Sequence, residues 1–158
     1  NTVHPHFFCA SGGRTFSSDS AAQNQSLVDV LAYFKYSADN GIDLPSPTFS
    51  SPGEDINGIG ELYDLFYPEL TGWTTRNYTK YDIRSDNGVS LTEFNDAHND
   101  SLLIVSYDDV WGKKKYKWAM DGTIIPFQTA AGKKGLIYVI HADTVETGVI
   151  TFSMKVQM

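Results

Sequence analysis

The side chains that could carry chemistry are few and scattered. The chain has four histidines, His4, His6, His98 and His141, one cysteine, Cys9, and 19 Asp plus Glu. His4 and His6 sit two apart across Pro5, so in a strand they would share a face and could grip a metal together; a frayed terminus with two solvated rings is the plainer reading. His98 falls on an apolar helical stripe and reads as a packing residue. His141 closes a strand with Asp143 two residues on, an acid–base pair in principle and a strand-end surface pair by default. Cys9, in His-Phe-Phe-Cys-Ala-Ser, has no helix N-terminus or positive cluster nearby to lower its pKa, so it reads as an ordinary half-buried cysteine.

Paired carboxylates occur at Glu54 with Asp55, Glu61 with Asp64 and Asp108 with Asp109. Glycoside hydrolysis needs two carboxyls about 5–10 Å apart in a cleft, and spacing along the chain does not supply that. No Gly-x-Ser-x-Gly elbow is present. Asp39-Asn40-Gly41-Ile42-Asp43 and Asp82 to Gly88 carry oxygen ligands at close spacing, but neither fits the twelve-residue calcium loop, and both read as turns. Gly132-Lys133-Lys134-Gly135 lacks P-loop spacing. No metal or cofactor is expected.

Aromatic residues give the remaining hint of a site. Trp73, Trp111, Tyr116 and Trp118 flank polar, loop-like segments, and flat rings beside Asp, Asn and Lys suit carbohydrate stacking. The same rings could instead cap a core. Lys113-Lys114-Lys115-Tyr116-Lys117-Trp118 is the basic run; it could clamp a sugar or polyanion, and the simpler reading is an edge strand guarded by lysines. Asn24-Gln25-Ser26, Asn77-Tyr78-Thr79 and Asn99-Asp100-Ser101 match the glycosylation acceptor pattern.

The elements that must position these groups are mostly strands. With 158 residues the chain is read as one globular domain, 1–158. Val3–Phe8 suggests a short strand, Ser17-Ser18-Asp19-Ser20 offers N-cap residues before a helical turn over 21–24, and Val28–Tyr36 reads as an inner strand covered on both faces. Asp39–Gly53, with Pro45, Pro47 and Pro52, reads as loop. Two helices are expected, over about 58–67, with Ile59, Leu62, Tyr63, Phe66 and Leu70 on one face, and over about 91–100, opened by the Ser90–Glu93 capping box. Residues 102–107 fit helix and strand equally. Thr123–Gln128, Leu136–His141 and Gly148–Val156 read as an antiparallel series, with Ile150, Phe152, Met154 and Val156 on one face. The fold expected is therefore α+β, mainly β: an antiparallel sheet or β-sandwich with two short helices packed on it.

Composition excludes several functions. The net charge is 12 − 19 = −7, against binding to nucleic acid or an anionic membrane. One cysteine allows no internal disulfide and no thiolate metal cluster. No run of 18 apolar residues offers a transmembrane segment. The chain begins at Asn1 and not Met, which reads as a processed product.

The C-terminal third adds a resemblance. Gly122 to Thr129, Gly132 to Val139, and Ile150 to Gln157 look like the closing hairpins of uncharacterised exported domains of Bacteroidetes. Val28-Asp29-Val30, the Ser46-Pro47 segment, and Trp73 with Arg76 to Lys80 are similar to landmarks in those proteins. The resemblance implies a secreted or surface lipoprotein setting, periplasmic or at the cell surface, and transfers no catalytic residue. The expectation is a non-catalytic exported binding or adhesion module, its ligand a small molecule, lipid or glycan held by Trp73, Trp111, Tyr116 and Trp118. The alternatives are a glycan hydrolase using a carboxylate pair, and a purely structural domain of a surface assembly.

Overall fold

The protein is described from a computed structural model, over residues 5–158. Two five-stranded antiparallel sheets build it. The first has the order β2-β1-β3-β4-β7, with β1 Phe7–Cys9, β2 Arg14–Phe16, β3 Val30–Asp39, β4 Ile42–Ser50 and β7 Lys115–Tyr116. The second has the order β10-β9-β8-β5-β6, with β5 Lys80–Asp82, β6 Gly112–Lys113, β8 Ile124–Gln128, β9 Lys134–Ala142 and β10 Ile150–Val156. Three short helices accompany them: α1 Ser18–Gln23, α2 Leu91–Asp96 and α3 Ser101–Ser106. This is the α+β, mainly β fold expected. Of the strand expected over Val3–Phe8, Phe7 and Phe8 fall in β1 and Pro5 and His6 lie outside any strand; Val3 and His4 fall outside the described residues.

Three apolar clusters make the layers. Val30, Ala32 and Phe49 of the first sheet meet Tyr81, Ile125, Phe127, Ile137 and Val139 of the second, forming the sandwich core. On the far face of the first sheet, Phe7 and Leu31 pack under Leu62, Tyr63, Tyr67, Leu70 and Trp73. On the far face of the second, Ile124 and Leu136 pack under Phe94 of α2 and Leu103 of α3. Alternate residues of β3 therefore feed different cores, as an inner strand covered on both faces requires.

The segment read as loop over Asp39–Gly53 is instead β4. Asn40 (φ 51°) and Gly41 (φ 82°) form a two-residue turn with both residues left-handed, the geometry that matches strand twist in a hairpin. Asp39 pairs with Ile42, so even-numbered β4 residues bond to β3 while Pro45 and Pro47 turn their nitrogens outward. Proline removes a donor only where no ladder needs one. The outward Pro47 carbonyl takes the Ala119 amide at 2.9 Å.

The first helix expected, over 58–67, is shorter and wider. Gly58 and Gly60 adopt φ of 66° and 118°, outside the helical region, which delays the start. A single π-type turn spans Leu62–Phe66, closed by the Tyr67 amide on the Leu62 carbonyl at 2.8 Å. Pro68 then opens a 3-10 turn over Pro68–Gly72. Ile59 stays 69% exposed, outside the apolar face assigned to it. The second helix begins as read, with Ser90 and Glu93 bonding each other's backbone amides, and it breaks at Ala97. Residues 102–107 fall mostly in α3. His98 is exposed in the link between α2 and α3, so it is no packing residue.

Candidate functional site

The basic run crosses between the sheets. β6 edges the second sheet and β7 the first, so residues 112–116 guard both sandwich edges on one side. Beyond β7 the chain returns to the second sheet through residues 117–123. There Trp118 takes φ 55°, a backbone strain that its neighbours must hold: its amide donates to Ser46 Oγ at 3.0 Å, and the next amide to Pro47 O. The Trp118 indole Nε1 is buried with no hydrogen-bond partner, and Lys117 Nζ lies 5.6 Å from the ring centre.

This crossing and the β5–α2 loop wall an open cleft of about 640 Å³. Ser85, Asp86 and Asn87 face it from one side, and Tyr116, Asp121 and Thr123 from the other. The loop is fixed by its own side chains. Asp86 Oδ1 accepts the Gly88 amide at 3.2 Å, Asn87 Oδ1 accepts the Val89 amide at 3.1 Å, and Asn87 Nδ2 donates to the Ile124 carbonyl at 2.8 Å. The turn reading of this acidic segment is the one the geometry follows. The Ser85 and Thr123 hydroxyls and the second oxygen of Asp86 make no hydrogen bond among the described residues, so the cleft lining holds unspent donors and acceptors together with one aromatic residue, Tyr116.

Asp121 anchors the opposite wall. Its Oδ1 accepts the Ala142 amide at 2.7 Å and its Oδ2 lies 3.1 Å from His141 Nδ1. His141 Nε2 in turn lies 3.1 Å from Asp143 Oδ1. The two carboxylates raise the His141 pKa above its ordinary value, Asp121 contributing most. Asp121 is lowered by that hydrogen bond and by the Ala142 amide; Asp143 is lowered chiefly by the Val149 amide and then by His141. Because the imidazole turns one nitrogen to each acid, the three groups do not converge on a common point, and among the described residues no group of three or more His, Cys, Asp or Glu is placed to hold a metal.

A second charged constellation lies beside β4, and sequence reasoning missed it. Glu54 is 7% exposed; its Oε2 accepts from Ser50 at 2.7 Å and its Oε1 from Lys115 Nζ at 3.1 Å, with Lys114 Nζ at 3.9 Å. Lys115 also lies 3.7 Å from Glu61, which hydrogen-bonds Lys35. Burial pushes Glu61 up, but Lys35 and Lys115 outweigh it and hold the carboxyl below its ordinary value. The structure thus joins Glu54 to Glu61 through a lysine, not each to its sequence neighbour. Only the position of Lys115 on an edge strand could have signalled this.

The four aromatic candidates are not gathered in one place. Trp73 is 6% exposed and packs on Phe7 in the first core, ring centres 5.6 Å apart. Trp111 is 46% exposed in a 3-10 turn before β6. Tyr116 packs against the sandwich core and lines the cleft. Trp118 lies in the crossing that follows it.

The class defined by this architecture is an antiparallel β-sandwich with helical layers on both outer faces and a polar cleft at one end. No protein-family model matches the chain, and no curated protein matches it. A solved structure does: a DUF4466 family protein from Parabacteroides merdae is similar to it with a TM-score of 0.55 and 19% identity. The match covers 97% of this chain and 49% of the other, so this chain spans about half the length of that protein. The likeness is one of fold. The neighbour is an uncharacterised protein from Bacteroidetes, the group of organisms to which the sequence resemblance pointed, and no catalytic family comes with it. No helix among the described residues is long and apolar enough to cross a membrane.

Proposed function

We propose that this is an exported, non-catalytic binding module that takes a glycan in the cleft between the β5–α2 loop and the β7–β8 crossing. The observation that carries the reading is the lining: Tyr116 set among Ser85, Asp86, Asp121 and Thr123. Hydroxyls and carboxylates match the hydroxyls of a sugar, and an aromatic face matches its C–H surface. The volume is within the range of small-ligand sites. A lipid tail would leave these polar groups desolvated and unpaired, which favours the glycan over the lipid. Two carboxylates, Asp86 and Asp121, share the cleft, but Asp121 is held ionised by His141 and the Ala142 amide. As an ionised acceptor it suits a sugar hydroxyl, which supports the binding reading.

The test is amide chemical-shift mapping against a panel of neutral oligosaccharides and, separately, fatty acids. Shifts confined to residues 85–90, 116 and 121–124 with an oligosaccharide are expected, and Tyr116→Ala weakens that binding by about ten-fold. Asp86→Ala, at an exposed position, weakens it without touching the core. Shifts with fatty acids alone, no shifts at these residues, or cleavage of the oligosaccharide would each overturn the proposal.

A further inference from the structure

We infer that β10 is a homotypic docking edge, through which two copies of this chain join their second sheets into one continuous sheet of ten strands. β10 is the outermost strand of that sheet, and its backbone alternation can be read from its two ends. The Val149 carbonyl accepts from Asp143 at 3.0 Å, and the Gln157 amide donates to the Lys134 carbonyl at 3.0 Å, so odd-numbered residues face β9. The register shift beside Thr151 leaves Ile140 of β9 as the extra residue and does not disturb β10 itself. The N–H and C=O groups of Ile150, Phe152, Met154 and Val156 therefore point outward, and none has a hydrogen-bond partner among the described residues.

The other sheet edges are blunted. β2 has three residues, β6 and β7 have two each among lysines, and the outer edge of β4 carries Pro45 and Pro47. β10 has seven residues with no Pro or Gly. Its one charge, Lys155, would normally guard such an edge, but its Nζ is spent on the carbonyls of Asn95 at 3.1 Å and Ala97 at 2.9 Å and lies 5.1 Å from the Phe94 ring centre. The lysine caps the end of α2 and leaves the strand unguarded.

The sequence fits a second copy of itself. An antiparallel two-fold centred on Ser153 sets Ile150 opposite Val156 and Phe152 opposite Met154 of the other copy, the outward-facing residues whose backbones would exchange hydrogen bonds. Ser153 meets its own equivalent, and Lys155 meets Thr151, so no like charges are opposed. Ile150, Phe152, Met154 and Val156 are only half-buried at the sandwich rim, and the pairing would lay the two apolar rows side by side. One pair of seven-residue strands is small for an interface, so the dimer is a weak one.

The experiment is sedimentation of the folded chain over a concentration series reaching about 1 mM, with amide exchange read at the top and bottom of the series. A concentration-dependent rise toward twice the 17.5 kDa chain mass is expected. With it, the amides of Phe152, Met154 and Val156 gain protection at high concentration, while those of Ser153 and Lys155 are protected throughout. Ser153→Lys and Ser153→Glu, each checked for an unchanged melting curve, weaken self-association by at least about ten-fold, and mixing the two restores it. A monomer at every concentration overturns the inference. So does a dimer whose formation leaves the even-numbered amides unprotected, or one that both variants leave intact.

Discussion

Asp121 lies 3.1 Å from His141 with one carboxylate oxygen and holds the Ala142 amide at 2.7 Å with the other, so a single side chain lines the cleft and ties down the end of β9. Asp143 does the corresponding work on the turn to β10: its Oδ1 faces His141 Nε2, and its Oδ2 accepts the Val149 amide at 2.9 Å. A protonated imidazole can donate to both acids; a neutral one can donate to only one.

The pH dependence follows from the direction of each shift. His141 has a folded pKa raised above the ordinary 6.5. Its contribution is fully present below 6.5 and is lost as pH rises through the raised value. Asp121 and Asp143 are lowered, so theirs is present above the ordinary 3.8 and is lost as pH falls through the lowered values. The melting-temperature gap between the parent chain and His141→Gln is expected to be widest between those ordinary values and to shrink on the alkaline side. All three groups are exposed, so added salt reduces the gap as well. A gap that grows with alkalinity would refute the two-acid clasp.

Asp82 is fully buried and holds four donors. Arg84 Nη2 lies 2.5 Å away and its Nε 3.0 Å, and the Arg84 and Asp108 amides lie 3.1 and 3.0 Å away. Burial raises the carboxyl, but these bonds outweigh it and lower it below its ordinary value. Asp82→Asn leaves Arg84 facing a neutral partner and is expected to cost about 3 kcal/mol, read as a lower urea midpoint at unchanged slope. A loss under about 0.5 kcal/mol would mean that water replaces the contacts freely.

Trp73 separates a structural ring from a binding ring. It is 6% exposed and packed with Phe7 and Tyr67 beneath the 62–72 turns. Trp73→Ala is expected to destabilise by about 3–5 kcal/mol. Trp73→Phe, which keeps the fold, leaves any oligosaccharide affinity unchanged, whereas Tyr116→Ala lowers it. Equal losses of affinity in Trp73→Phe and Tyr116→Ala would move the site away from the cleft.

The strands and caps whose signals are local were legible in the residues. Ser90 with Glu93, the alternation of Ile150 to Val156, and the Asn40-Gly41 turn each show their role within a few positions. β4 was hidden because Pro45 and Pro47 look like breakers until the register shows that their nitrogens face away from β3. The 58–67 helix was over-read because a 3.6-residue spacing of apolar groups does not show that Gly58 and Gly60 leave the helical region.

The site followed the same division. Composition and residue type by themselves determined a mainly β chain with an acidic surface, many rings and no recognisable catalytic motif, because propensity and alternation act over neighbouring residues. Tertiary structure alone decided which of those rings meets polar groups. Asp121 reaches His141 across 20 residues, Lys115 reaches Glu54 across 61, and the cleft joins residues 85–90 to 116 and 121–124. Such meetings depend on which strands lie beside one another, and strand order is set by the packing of the whole sandwich, which no short stretch of sequence encodes.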